Sequence, residues 1–340
     1  MKAESESRLH FGIRIPATRP VREVISTVRR AESAGLDAAW LPDSHLNYRE
    51  LWTTLGALAV STDRISLGAT VTNLVTRHPT VTASAARAVA EAAPSRFVLG
   101  LGAGDSAIGF DNLRTTGPKA LARGLGVVRT LLSGGSVQYG DFAAELRGAD
   151  VTVPVYVAAS GPRMLRTAGA VADGVIVSMG SLEEKLARIG EGAEEAGRVR
   201  PPVFVYTTCA VTDDLAAVSK LMKPFCLRIA QLEGVEIFEQ AGVRVEPPSH
   251  TVGAQGDVGH AADLAAASKA VDSLVSDEAA VWFARNRSLV GTPDELLGRF
   301  EELSALGIAG VTMNHLTGSD LPDVLVEAVA PVVAAWRHRQ

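Results

Sequence analysis

Five short groups of residues combine types and spacings that could do chemistry. In the first, Asp43, Ser44 and His45 follow an apolar run ending at Leu41. A carboxylate and a hydroxyl at a strand end can hold the polar edge of a ring ligand, and a histidine can pass a proton near neutral pH. A capped turn after Pro42 is the plainer alternative. The second group is Thr70, Val71, Thr72 and Asn73, with Arg77 and His78 behind them. Its amides and hydroxyls could cup a planar ring, while Arg77 and His78 could equally pair with a neighbouring carboxylate. The third, Gly102-Ala-Gly104-Asp105, lets a backbone approach a phosphate or a ribityl chain because Cβ atoms are missing. It is not the dinucleotide fingerprint, since GxGxxG is absent. The fourth, Ser160-Gly161-Pro162-Arg163, opens a helix whose free amides and positive dipole end could form an anion site, though many barrel helices start so. The fifth, Asn314 and His315, ends an apolar run and either faces a cleft or closes a turn.

Other chemistries lack their residues. HExxH, a Walker loop and GxSxG are all absent, so zinc proteolysis, nucleotide hydrolysis and serine-hydrolase chemistry have no support. The two cysteines, Cys209 and Cys226, have neither metal-ligand nor CxxC spacing and suit a reducing cytoplasm. No metal site is expected. A net charge of −5 leaves no basic footprint for nucleic acid. With 47% hydrophobic and 21% charged residues, the composition is that of an ordinary soluble globular chain. No apolar stretch is long enough for a membrane span, and the polar first ten residues do not read as a signal peptide.

The elements that must position these groups alternate along the chain. Apolar, strand-type runs fall at 11–15, 37–41, 65–70, 97–101, 154–159, 174–178, 202–211 and 309–314. Helical periodicity separates them. Val21, Val24, Ile25, Val28 and Ala31 keep one apolar face, which Gly35 stops. Further helices are expected at 51–60, 80–92, 119–132 and 320–336. Thr76 is the expected cap of the helix at 80–92, with Pro79 in its first turn. Capping boxes are expected at Ser181-Leu-Glu-Glu184 and Thr292-Pro-Asp-Glu295. A small hairpin is expected around Tyr139-Gly-Asp141.

Strand–helix–strand units of this length imply parallel strands joined by right-handed crossovers, with the polar loops at the strands' carboxyl ends. Eight such strands predict an α/β fold, a (β/α)8 TIM barrel occupying residues 1–340 as a single domain. A doubly wound sheet usually has fewer strands. Residues 212–290 break the rhythm and are expected to form a helical insertion between strands seven and eight, a lid or substrate wall.

As a set, the runs Leu41-Pro-Asp-Ser44, Gly68-Ala-Thr-Val-Thr-Asn73 with Thr76-Arg-His-Pro79, Leu99-Gly-Leu-Gly-Ala-Gly-Asp105, Val157-Ala-Ala-Ser-Gly-Pro162 and Ala172-Asp-Gly-Val175 resemble the luciferase-like flavin and deazaflavin oxidoreductases. The pattern is most similar to the branch holding methylenetetrahydromethanopterin reductase and its F420-dependent relatives. That resemblance implies coenzyme F420, or FMN as the alternative, at the barrel's carboxyl-end mouth. It implies that Asp43 and Ser44 contact the ring and that Thr70, Val71 and Thr72 back it, with Thr70–Val71 a non-proline cis peptide. Ala159, Ser160, Gly161 and Pro162 would hold the phosphate, Gly102, Gly104 and Asp105 would line the side-chain path, and Met179 and Gly180 would close the pocket. The expected reaction is hydride transfer between F420 and an unsaturated small-molecule or peptide substrate (C=C, C=N or C=O), with His45 or His78 as proton donor. An FMN-dependent monooxygenase and a non-catalytic flavin-binding barrel are the alternatives. A cytoplasmic homodimer acting on a small molecule, away from membranes and nucleic acid, goes with the resemblance. One departure stands out: the methanopterin reductases carry an acidic residue where this chain has Arg14.

Overall fold

Short, mostly apolar runs become strands, and all but two of these are largely buried. They are β1 (His10–Arg14), β2 (Ala38–Leu41), β3 (Ser66–Ala69), β4 (Phe97–Leu101), β5 (Ser136–Tyr139), β6 (Phe142–Glu145), β7 (Val155–Ala158), β8 (Gly174–Ser178), β9 (Val203–Val211), β10 (Leu289–Gly291) and β11 (Gly310–His315). A computed structural model describes residues 8–104, 106–110, 113–248, 263–317 and 320–340. In it β9, β11, β1, β2, β3, β4, β7 and β8 pair in that order, all parallel, and β8 pairs back onto β9. The ring is therefore a closed eight-stranded barrel, as the alternation predicts. β10 adds to the end of β9, and β5–β6 form the expected hairpin outside the ring.

Helices α1 (Val21–Ser33), α2 (Leu51–Ala59), α3 (Pro79–Ala92), α4 (Ser106–Phe110), α5 (Pro118–Leu132), α6 (Pro162–Val171) and α7 (Leu182–Glu195) follow the first strands. After β9 come α8 (Leu215–Lys220), α9 (Lys223–Glu233), α10 (Glu236–Glu239), α11 (Leu264–Ala270) and α12 (Asp277–Arg287), and the chain ends with α13 (Pro293–Ala305) and α14 (Asp323–Arg339). The helices α8 to α12 pack around their own small core of Met222, Cys226, Leu227, Phe238, Val271 and Val275. None of the described helices is long and apolar enough to cross a membrane.

Three local expectations need correction. The N-cap of α3 is His78, not Thr76; the imidazole Nδ1 accepts from Thr80 N at 3.4 Å. Thr76 is drawn instead into a turn in which Asn73 Oδ1 accepts from its amide at 2.8 Å. Ser181 makes no side-chain capping bond; it sits in the left-handed region at φ 50°, away from the extended backbone from which a serine normally caps. The last helix begins at Asp323 and runs to Arg339, later at both ends than expected. By contrast Thr292 and Glu295 form the reciprocal capping box.

The barrel interior is filled by aromatic rings where glycines leave room. The Trp40 ring lies 6.2 Å from that of Tyr156, and Tyr156 lies 5.0 Å from Phe204. These side chains come from β2, β7 and β9, so they meet only by crossing the interior. A Cβ at Gly12 would stand 2.4 Å from Trp40 Nε1, and one at Gly68 would stand 2.3 Å from Trp40 Cζ3. Side chains alternate faces along a strand. The next inward layer is therefore two residues on: Arg14, Pro42, Thr70, Ala158, Ile176 and Tyr206. The aromatic layer plugs the barrel, and this second layer becomes the floor of a cavity.

Candidate functional site

The cavity has a volume of about 690 Å³ and opens at the carboxyl ends of the strands. That lies within the usual ~300–1,000 Å³ of small-molecule sites. Every member of the second inward layer lines it, joined by Asn314 from β11. The opposite wall is helical. Phe225, Arg228, Ile229, Leu232 and Glu233 from α9 and Phe283 and Arg287 from α12 face the barrel mouth.

Most of the predicted cofactor residues converge here. Asp43, Ser44, Thr70, Val71, Gly102, Gly104, Ala159, Ser160 and Met179 all line the cavity. Asp43 is buried; its Oδ2 accepts from Thr72 Oγ1 at 2.6 Å and forms an ion pair with Arg77. Arg77 also holds Glu50 at 2.8 Å, and Glu50 caps α2 by accepting from Thr53 N. The loop after β2 is thus tied to the loop after β3. Thr72 stands one layer back, fully buried and bonded to Asp43 rather than lining the cavity. The Thr70–Val71 peptide is cis, as the family resemblance implied. Behind Val71 lies Gly102, where a Cβ would come 2.5 Å from Val71 Cγ2. Gly104 adopts φ +95°, a conformation that favours glycine.

Gly161 caps α6 and Pro162 opens it; both are exposed and stand just beyond Ser160 at the rim, outside the cavity lining. Gly180, at φ +100°, is also outside the lining; a Cβ there would collide with Arg287 Cδ at 2.3 Å, so it makes room for that arginine. Asp105 lies outside the described residues. His45 is exposed and does not line the cavity, and His78 is exposed, capping α3 with its ring 5.4 Å from Tyr139. His315 is likewise absent from the lining; its Nδ1 lies 2.7 Å from Thr317 Oγ1, and burial lowers its pKa.

Two polar clusters were not anticipated. The first is at the floor. Arg14, only 5% exposed, donates to Tyr48 OH at 2.8 Å and to Asn314 Oδ1 at 3.3 Å, with its guanidinium 5.4 Å from the Tyr48 ring centroid. Burial opposes the charge, but Tyr206 and Tyr48 outweigh it and raise the pKa, so Arg14 stays protonated. Burial pushes the Tyr206 phenol up, with Arg14 pulling the other way. The second cluster joins β8 to the helical wall. Glu233 accepts from Ser178 Oγ and from Arg287, each at 2.8 Å, and Lys185 donates to Ser178 Oγ at 2.8 Å. Burial disfavours the Glu233 charge, yet Lys185 and Arg287 hold its pKa below the usual carboxylate value. A signal for the first existed in the sequence: Arg14 and Tyr206 interrupt apolar strands.

Cys209 and Cys226 are buried, with burial pushing the Cys209 thiol up to about 12 and that of Cys226 higher still, so neither serves as a thiolate nucleophile. Among the described residues, no group of three or more His, Cys, Asp or Glu could hold a metal ion. What the site offers is a deep, largely apolar slot with a glycine-relieved back wall, an anion-friendly helix start at one rim and a buried cation at the floor.

The chain is similar to known proteins over most of its length. The 5,10-methylenetetrahydromethanopterin reductase of Methanolobus tindarius is 29% identical over 322 residues, covering 91% of this chain and 94% of the relative. An F420-dependent glucose-6-phosphate dehydrogenase of Beutenbergia cavernae is 33% identical over 205 residues, 52% of this chain and 60% of that protein. The solved structure of the coenzyme F420-dependent tetrahydromethanopterin reductase of Methanopyrus kandleri matches with a TM-score of 0.73 at 26% identity, covering 96% of this chain and 99% of that one. The luciferase-like monooxygenase family model spans residues 7–310, and the chain belongs to that family.

Proposed function

We propose that the protein is an F420-dependent oxidoreductase that moves a hydride between F420 and an unsaturated small molecule containing C=C, C=N or C=O. The observation that carries this reading is convergence. Asp43 and Ser44, Thr70 and Val71, Gly102 and Gly104, and Ser160 come from separate βα loops and line one cavity of about 690 Å³.

The residues present fit the cofactor. Thr70 Oγ1 is buried with no hydrogen-bond partner among the described residues, and it lies in the lining, where a polar ring edge would satisfy it. A Cβ at Gly102 would crowd Val71, so that position is kept bare where a flat group would pack. At Gly161 a Cβ would meet nothing within 4 Å, so the start of α6 is open to a phosphate. In this reading Asp43, Ser44, Thr70 and Val71 hold the ring, with Thr72 fixing Asp43. Gly102, Gly104 and Asp105 flank the side chain, Ala159, Ser160, Gly161 and Pro162 take the phosphate, and Met179 closes the slot beside Gly180.

When bound in reduced form, F420 supplies the hydride. The chain supplies the rest. Phe225, Ile229, Leu232 and Phe283 exclude water from the mouth. Tyr48 OH accepts from Arg14, which leaves its own O–H proton for a different acceptor, so we assign the proton-donor role to Tyr48 in place of His45 and His78. A homodimer in the cytoplasm, with no nucleic-acid partner, completes the proposal and rests on charge and family alone.

The test is anaerobic mixing of the protein with reduced F420 and a panel of unsaturated acceptors. Protein-dependent reoxidation of the cofactor is the expected result. Turnover that requires reduced FMN and oxygen instead would replace this reading with a monooxygenase.

A further inference from the structure

Asp43 lines the cavity, and the guanidinium paired with it, Arg77, does not. Among the described residues Asp43 makes two side-chain hydrogen bonds, and both fall on Oδ2: one from Thr72 Oγ1 at 2.6 Å, the other from Arg77 Nη1. That leaves Oδ1 for whatever fills the slot. We infer that Arg77 is a positioning residue: by gripping Oδ2 it sets Oδ1 of Asp43 as a fixed acceptor for the imide N–H of the deazaflavin ring. The inference rests on the proposed function, which seats the ring at Asp43, and adds to it a residue outside the cavity lining.

The grip is anchored on both sides. Nη2 of Arg77 donates to Glu50 Oε1 at 2.8 Å, and Glu50 Oε2 accepts from Thr53 N at 2.7 Å at the start of α2. The guanidinium therefore cannot swing away from Asp43 without giving up Glu50 as well. On the other side, Thr72 N donates to Gly100 O and Gly102 N donates to Thr72 O, each at 2.9 Å, so the hydroxyl that holds Asp43 is fixed to the backbone of β4. One carboxylate oxygen is pinned between these two anchors, and the orientation of the other follows. A planar fork can serve two carboxylates at once, which an ammonium on a flexible stem does less well. The Asp43 side chain is 3% exposed, so water screens the pair little. An ionised carboxylate only accepts, so the ligand edge that meets Oδ1 must bring a donor. Thr70 Oγ1, beyond the end of the adjacent strand β3, is a buried hydroxyl with no partner among the described residues and can donate. An acceptor and a donor from neighbouring strands match the N–H and C=O that sit side by side in an imide.

The probes are 5-deazariboflavin and its N3-methyl derivative, titrated calorimetrically into the protein with no substrate and no turnover. The wild type should bind the N–H ligand about 10- to 100-fold more tightly than the N-methyl one, the range of a hydrogen bond to a charged group. Arg77→Met should bring that ratio close to one, and Arg77→Lys should keep part of it. In an Asp43→Asn background Arg77→Met should change the ratio no further, because a residue that acts through another is not additive with it. A residue that merely held the fold would weaken both ligands alike and leave the ratio untouched. Should Arg77→Met fail to fold, Arg77→Lys and Glu50→Gln take its place, each with a several-fold loss of the ratio expected. Equal affinity for the two ligands in the wild type would overturn the inference. So would a ratio that survives these Arg77 and Glu50 variants, or Arg77→Met and Asp43→Asn effects that simply add. Any of these results with F420 binding intact removes the role of Arg77 alone. A wild type that binds neither 5-deazariboflavin nor F420 removes the proposed function and this inference with it.

Discussion

Gly102→Ala is the sharpest probe of how the cavity's back wall is built. An added Cβ would stand 2.5 Å from Val71 Cγ2, 3.5 Å from Val71 Cβ and 3.9 Å from Ala158 Cβ. Comfortable carbon–carbon contact lies at about 3.5–4.0 Å, so the Val71 branch must retreat by about 1 Å. The Val71 backbone is anchored through its neighbour, since Thr72 N donates to Gly100 O and Gly102 N donates to Thr72 O, each at 2.9 Å. The strain therefore cannot be relieved by sliding the strand and is passed into the cavity that Val71 lines. Overpacking of this kind costs about 1–3 kcal/mol. Expressed at the cofactor site, that is about a 5- to 150-fold loss of affinity. The assay pairs urea denaturation with an F420 fluorescence titration on four proteins: wild type, Gly102→Ala, Val71→Ala and the double variant. Val71→Ala removes the colliding methyl, so Gly102→Ala should be nearly harmless in that background. Gly161→Ala, with nothing within 4 Å of its new methyl, is the control for stability. It should stay within about 0.5 kcal/mol of wild type. If Gly102→Ala is as mild as the control, or its cost persists without the Val71 branch, the reasoning is refuted.

Three further outcomes are expected. Asp43→Ala leaves Arg77 without its buried partner and should lower stability by about 3 kcal/mol, read by denaturant unfolding, with F420 affinity falling as well. Tyr48→Phe removes the acceptor of the 2.8 Å bond from Arg14 and should cost about 1.5–3 kcal/mol, with the pH profile of single-turnover reduction changed if Tyr48 is the proton donor. The Glu233 carboxyl has a folded-state pKa below its ordinary 4.5, so its stabilising contribution is present above that value and is lost as pH falls through the folded one. Thermal unfolding of the wild type should therefore weaken from about pH 5 downward, and Glu233→Gln should flatten that slope while lowering stability at neutral pH.

The barrel was legible because buried parallel strands are near-continuous apolar runs, and each polar loop at a carboxyl end stood out against them. For the same reason those strands gave little sign of which side faces inward: Val205, Tyr206 and Thr207 look alike until the ring closes. Arg14 and Tyr206 acquire their meaning only when Trp40, Tyr156 and Phe204 fill the layer beneath them. His45 and His78 drew attention by residue type, but the helix start at Pro79 uses the His78 ring as a cap and leaves it in solvent. The Ser178–Lys185–Glu233–Arg287 cluster joins residues more than a hundred positions apart, and no local pattern announces such a meeting.

The central claim is that this cavity grips a deazaflavin ring and its phosphate tail. Equilibrium titration of the purified protein with F420 and, separately, with FMN tests it most directly. The account predicts saturable binding of F420 near one per chain, weakened by Gly102→Ala, and markedly weaker binding of FMN. Tight FMN binding with no measurable affinity for F420 would contradict it.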